Sequence, residues 1–167
     1  EHIYESQDEA RLRLLGKALS SLWVSPCGRL GVVEITRDDV DAIGARDEHV
    51  QGIVNHVRGI KGVEIAVLLR EGDVDAPATK VIVRSRGNVS VAPVAQQLGA
   101  IGHKNAASFR LDKSLDDARA IVVDTFLASL PRVEPASAKA MAKAKANANA
   151  SAKTERAKSK RHLRPAE

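Results

Sequence analysis

Two segments of apolar alternation constrain this chain more than anything else in it. Val63, Ile65, Val67 and Leu69 fall on one side of a stretch ending at Arg70, and Val81 and Val83 fall on one side of a stretch from Lys80 to Arg86. A period of two puts each set on one face of a half-buried strand. The acidic run Gly72 to Pro77 between them is short enough to predict a hairpin. Such a ribbon needs other elements to cover its apolar face.

The flanking sequence supplies that cover. Tyr4 to Leu22 reads as an amphipathic helix with Leu12, Leu15, Ala18, Leu19 and Leu22 as its stripe, and Ser25-Pro26-Cys27-Gly28 breaks it. Leu30 to Thr36 is β-branched and predicts a strand. Asp38 to Ile43 predicts a short helix stopped by Gly44, in which Asp38 and Asp39 serve the N-terminus rather than a metal or a reaction. Asp47 to Val57 predicts a second short helix. Its His49 and His56 are seven apart, two turns from each other, and read as packing or surface residues, not as a metal pair.

Further on, Ser90 caps a helix that runs through Leu98 and ends at Gly99. Ala106 to Leu111 predicts a strand. Ser114 caps a final helix to Leu130, with Ala118, Ile121, Val122, Thr125, Phe126 and Ser129 as its buried stripe. The order predicts an α/β chain: one domain with a mixed β-sheet and flanking helices.

Charge is unevenly spread. Residues 133–167 carry nine Lys or Arg against three Glu, a balance of +6, while residues 1–132 carry 17 basic and 18 acidic residues, a balance of −1. An argument from basicity for nucleic-acid binding therefore concerns the tail alone. That tail is rich in Ala, Lys, Ser and Asn with almost nothing to bury, so disorder is expected from residue 132 to 167. The single Cys27 allows no internal disulfide and suits a reducing cytoplasm. The longest apolar runs are too short for a membrane span. The opening EHIYESQDEARL lacks an initiator Met and suggests a fragment whose N-terminal part is missing.

Two polar features remain after the core is assigned. Opposite Val81 and Val83, the second strand turns Lys80, Ile82, Arg84 and Arg86 to its other face. The segment Gly99 to Ser108, GAIGHKNAAS, combines small residues with His103, Lys104 and Asn105, a set of donors suited to an anion.

Taken in order, VRSRGNVSV and GHKNAA resemble the C-terminal, DHH-associated domain of the DHH phosphoesterases, and within them the nanoRNase/pAp-phosphatase group of bifunctional oligoribonucleases. IYES, RLRLLGKAL and VNHVRGIKGVEIAVLLRE share the likeness, which extends over about residues 3–130. The resemblance implies a two-domain enzyme. An N-terminal DHH domain would hold two manganese ions, and the C-terminal domain would grip the substrate's phosphate and nucleotide.

This chain has no Asp-His-His motif, so the likeness implies no catalytic residue, metal ligand or cofactor here, with manganese expected in the absent DHH domain. It divides the sequence into a helix at 1–25 continuing from that domain, a substrate-binding domain at 26–131 and the tail. It implies substrate contacts from Arg84, Ser85, Gly102, His103 and Lys104, loop support from Asn105 and a contribution from Arg58. The implied partners are short RNA, pAp or a cyclic dinucleotide, the chain's own DHH domain and a second copy in a homodimer.

The family usually has four glycines before the histidine and a glycine after the two alanines. Here Gly99-Ala100-Ile101-Gly102 and Ser108 stand there. Ile101 would resist a positive φ, so the phosphate cradle is expected to differ in shape or to bind less tightly. A non-catalytic nucleic-acid-binding module, either a degenerate relative or a domain like the end of alanyl-tRNA synthetases, is the competing reading. The aromatic content of 2% argues against a base-stacking platform.

Overall fold

The computed structural model describes residues 8–72 and 78–130, which belong to one folded unit. The expectations for the first seven residues, for most of the acidic loop and for the basic tail lie outside the described residues.

Chain order begins with α1 (Glu9–Ser20), β1 (Trp23–Val24), β2 (Leu30–Ile35), α2 (Arg37–Ile43), α3 (Asp47–Val50) and α4 (Ile53–Arg58). It continues with β3 (Ile65–Glu71), β4 (Thr79–Ser85), α5 (Ala92–Gln97), β5 (Gly102–His103), β6 (Ala106–Leu111) and α6 (Leu115–Ser129). The six strands form one sheet in the order β1-β2-β3-β4-β6-β5. β2 and β3 are parallel and every other pair is antiparallel. A parallel pair needs a crossover, and α2, α3 and α4 provide it.

Each face of the sheet has its own core. On one side Leu30, Val32, Ile65, Val67, Leu69, Val81 and Val83 pack with Val94 and Ala95 of α5 and Val122 and Phe126 of α6. On the other, Val33, Ile35, Ala66 and Leu68 pack with Leu14 and Ala18 of α1 and with Val54 and Val57 of α4. β3 lies between both layers and is buried over its first five residues, whereas β4 alternates buried and half-buried along its whole length. The mixed sheet with flanking helices is thus the expected α/β fold.

The local chemistry explains several boundaries. Thr36 caps α2: its hydroxyl accepts from the Asp39 N–H at 3.2 Å, and the Asp39 carboxylate accepts from the Thr36 N–H at 3.3 Å. Gly44 closes the helix in the left-handed region. The predicted helix from Asp47 to Val57 is two helices, because Gly52 sits at φ +90 and breaks the i to i+4 ladder between them. His49 is a buried packing residue; its Nδ1 accepts from the Arg46 N–H at 3.0 Å.

α1 corrects an expectation. It packs through Leu14 and Ala18, while Leu12, Leu19 and Leu22 are exposed, Leu12 by 52%. The helix carries leucines around much of its circumference, and α2, α3 and β2 meet the side that holds the four-residue pair 14 and 18. Ser129, expected in the α6 stripe, is also exposed.

Candidate functional site

The helices α1 to α4 lie mainly over β2 and β3, so the same face of β4 and β6 is largely left open. Cross-strand register decides which residues stand there. His103 on β5 pairs with Ala106 on β6, and Ala106 pairs with Arg84 on β4. Partners across a ladder share a face. Arg84 and His103 therefore flank Ala106 in one row, two strands and about 10 Å apart at the backbone. The small Ala106 side chain leaves the floor between them low. The Arg84 guanidinium donates to the Val83 carbonyl at 2.9 Å, and among the described residues the His103 ring has no side-chain partner. His103 and Lys104 are exposed.

The segment Gly99 to Ser108 is a helix end followed by a hairpin. The Gly99 N–H donates to the Gln96 carbonyl and the Ala100 N–H to the Ala95 carbonyl, which closes α5. Gly99 has φ +76, and no described residue other than glycine has a positive φ. Ile101 consequently avoids the strain expected of it, and its side chain points into solvent, 92% exposed.

Lys104 and Asn105 form the two-residue turn between β5 and β6. Gly102 has a packing reason for its identity. A Cβ there would lie 3.0 Å from the Ala95 Cβ and 3.2 Å from the Ala107 Cβ, so a glycine lets β5 settle against α5.

Ser85 and Asn105 meet beside this row. Ser85 is only 2% exposed; its hydroxyl donates to the Val89 carbonyl at 2.6 Å and accepts from the Asn105 carboxamide at 3.0 Å. Its N–H donates to the Asn105 carbonyl, and the Lys104 carbonyl accepts from the Val91 N–H. The turn after Arg84 and the turn after His103 are thereby fastened together.

A pocket of about 390 Å³ opens at this end of the sheet, lined by Arg58, Ser85, Arg86, Gly87 and Asn105. The Arg86 guanidinium donates to the Arg58 carbonyl at 2.8 Å, which links β4 to the end of α4. Of the seven residues named from the sequence, three line this pocket and the other four, Arg84, Gly102, His103 and Lys104, belong to the adjoining strands and turn. Arg86 is the addition, and the alternation through Arg84 already pointed to it.

Nearby, Arg29 and Glu64 make a two-pronged ion pair at 2.7 and 2.8 Å. The pairing holds the Glu64 carboxyl below its ordinary value. Glu64 also accepts, through its carbonyl, from the Arg86 N–H.

No group of three or more His, Cys, Asp or Glu among the described residues could hold a metal ion. The donor set is cationic and neutral, which suits an anion and not a divalent cation. No described helix is long and apolar enough to cross a membrane.

Residues 33–129, from β2 to the end of α6, match the DHHA1 domain. The chain belongs to the DHHA1 domain family. This DHHA1 domain is also similar in structure to an exopolyphosphatase-related protein from Bacteroides fragilis, with a TM-score of 0.67 and 25% sequence identity. The likeness covers 74% of this chain and 36% of that one, so the chain spans little more than a third of that protein's length. The matched residues include the whole row of Arg84, Ala106 and His103 and the Ser85–Asn105 brace.

Proposed function

We propose that this DHHA1 domain is the substrate-binding portion of a manganese-dependent phosphoesterase that hydrolyses short oligoribonucleotides, pAp or both. The observation that carries the reading is the row in which Arg84 and His103 flank Ala106 on the open half of the sheet. In this reading the manganese ions belong to an N-terminal DHH domain, and the protein works in the cytoplasm within the nanoRNase/pAp-phosphatase group.

The chain's own part is to bind and orient. The Arg84 guanidinium presents a planar fork to two oxygens of a phosphate. His103 donates from the other side, and Lys104 adds a mobile positive charge at the rim. Arg58 and Arg86 line the adjoining pocket, where the next phosphate or sugar of a nucleotide would rest. Ser85 and Asn105 keep the two turns at fixed separation, and the Gly102 backbone brings β5 close to α5. Holding a phosphate this way fixes the direction from which it can be attacked and offsets its charge.

The test is hydrolysis of a 5′-phosphorylated dinucleotide and of pAp by the longer protein in which this domain is joined to a DHH domain, with manganese present. Arg84→Ala and His103→Ala are each expected to lower kcat/KM by about tenfold or more. Wild-type rates in both variants would remove the assigned contacts.

A further inference from the structure

The open half of the sheet carries a group of cations away from Arg84 and His103. Arg70 on β3 pairs with Lys80 on β4, and Lys80 pairs with Arg110 on β6, so the three stand in one row. They share a face with Arg84, since Lys80 and Arg84 are an even number of residues apart. With Asp47, Glu71 and Ser108 they line a pocket of about 380 Å³. Four residues of strand separate the two rows, about 13 Å.

The charges of this second row are partly free. Asp47 accepts from Arg70 and lies 4.0 Å from Lys80. The Glu71 carboxylate is turned to α2, where it accepts from the Arg37 N–H at 3.0 Å. Arg110 is exposed and has no ion pair among the described residues. The Arg70 Nε is buried without a partner among them. Between the two rows β4 and β6 present Ile82 and Ser108, which are uncharged.

We propose that the Arg70–Lys80–Arg110 row is a distal phosphate subsite, and that the open face is a track for a single-stranded oligonucleotide longer than two residues. The inference rests on the reading that Arg84 and His103 hold the proximal phosphate. The neutral interval selects the polymer. Inorganic polyphosphate bears a charge at every phosphorus with one oxygen between neighbours, and would set several unpaired charges over Ile82 and Ser108. A nucleotide chain spaces its charges with sugars and bases, which a half-buried Ile and a Ser hydroxyl can meet. A single phosphate monoester cannot bridge 13 Å.

The experiment measures binding of 5′-labelled oligoadenylates of two and five residues to the 167-residue chain by fluorescence anisotropy over a range of salt. The pentamer is expected to bind about tenfold more tightly than the dimer. The double variant Lys80→Gln/Arg110→Gln should remove that ratio and lower the pentamer's salt slope by about 0.7, the value for one phosphate contact on a single strand. Asp47→Asn, which frees Arg70 and Lys80, should raise the ratio. Arg110→Gln alone serves as the second variant should the double one unfold in a thermal melt.

A wild-type ratio of one, or a ratio undiminished in the variants, overturns the distal subsite. Arg84→Gln separates the two readings: weaker binding of both probes supports the proximal site, and unchanged binding of both removes it while leaving the distal result standing. Equal competition by polyphosphate of the same total charge overturns the assignment to nucleic acid.

Discussion

The Ser85 hydroxyl and the Asn105 carboxamide meet at 3.0 Å, one at the end of β4 and the other in the turn between β5 and β6. The same carboxamide reaches the carbonyls of Gly87 and Val89 at 3.3 and 3.4 Å. Two neutral residues twenty positions apart thus fasten together the turns that follow Arg84 and His103, whose spacing the sheet sets. The proposed phosphate site therefore depends also on groups that carry no charge.

Asn105→Ala should therefore cost about 1–2 kcal/mol of stability, the penalty for leaving the buried Ser85 hydroxyl and the half-buried Val89 carbonyl short of a partner. It should also weaken phosphate binding although no cation is lost. Urea unfolding and anisotropy with the dinucleotide check both. Wild-type stability with weakened binding would instead make Asn105 a direct contact.

Gly102→Ala and Ile101→Gly should behave in opposite ways. A methyl at 102 meets Ala95 and Ala107 at 3.0 and 3.2 Å, and overpacking of this kind costs about 1–3 kcal/mol. Ile101 is solvent-facing with an ordinary backbone, so restoring a glycine there should leave dinucleotide affinity unchanged. A marked gain in affinity for Ile101→Gly would show that the loop is held away from its binding shape by this side chain.

The Arg29–Glu64 pair makes stability acid-sensitive. Arg29 lowers the Glu64 carboxyl from its ordinary 4.5, so the folded state binds fewer protons than the unfolded one. The contribution is complete above about pH 4.5 and is lost as pH falls through the lowered value. Thermal melts of Glu64→Gln should show a destabilised protein at pH 7 and a difference that shrinks in acid. A difference independent of pH would mean that packing, not charge, sets the effect.

Glu34 has the opposite sign. Burial raises its carboxyl above 4.5, Asp116 adds to the rise, and Arg119, at 2.9 Å, partly offsets it. The folded state then holds a proton that the unfolded state has released, and stability falls as pH rises from about 4.5 through the raised value. Melts of Glu34→Gln should gain on wild type across that window. A constant offset would show that the ion pair to Arg119, which also lies 5.9 Å from the Trp23 ring, cancels the burial cost.

The legible parts of the sequence are those whose signal is local or periodic. β4 follows from alternation, and α2 from the paired acids Asp38 and Asp39 at its start. β3, by contrast, is buried on both faces instead of one, and Val63, expected beside Ile65, packs in the opposite layer. β1 and β5 have two residues each; they exist because a neighbouring strand pairs with them, and nothing in two residues announces that. Gly52 was readable as a breaker only by giving it more weight than the helical residues around it. The face of α1 depended on which side its partners would meet. At the site, the orientation of Arg84 was readable from strand register, and His103 from its place after a helix end. The bond between Ser85 and Asn105 was not, because it joins two turns whose distance is set by the sheet. Gly102 was readable as small but not as packed against Ala95.

The alternation of β4 has a consequence for how this surface could change over time. Its inward residues Val81 and Val83 belong to the core, and its outward residues Lys80 and Arg84 carry the charge. Sliding the strand by one position would bury the cations and expose the valines together. Ligand preference can therefore drift by exchange of outward side chains, one at a time, while insertions and deletions within the strand are closed to it. Variation in length has to be taken up elsewhere, in the connections that leave this ladder undisturbed.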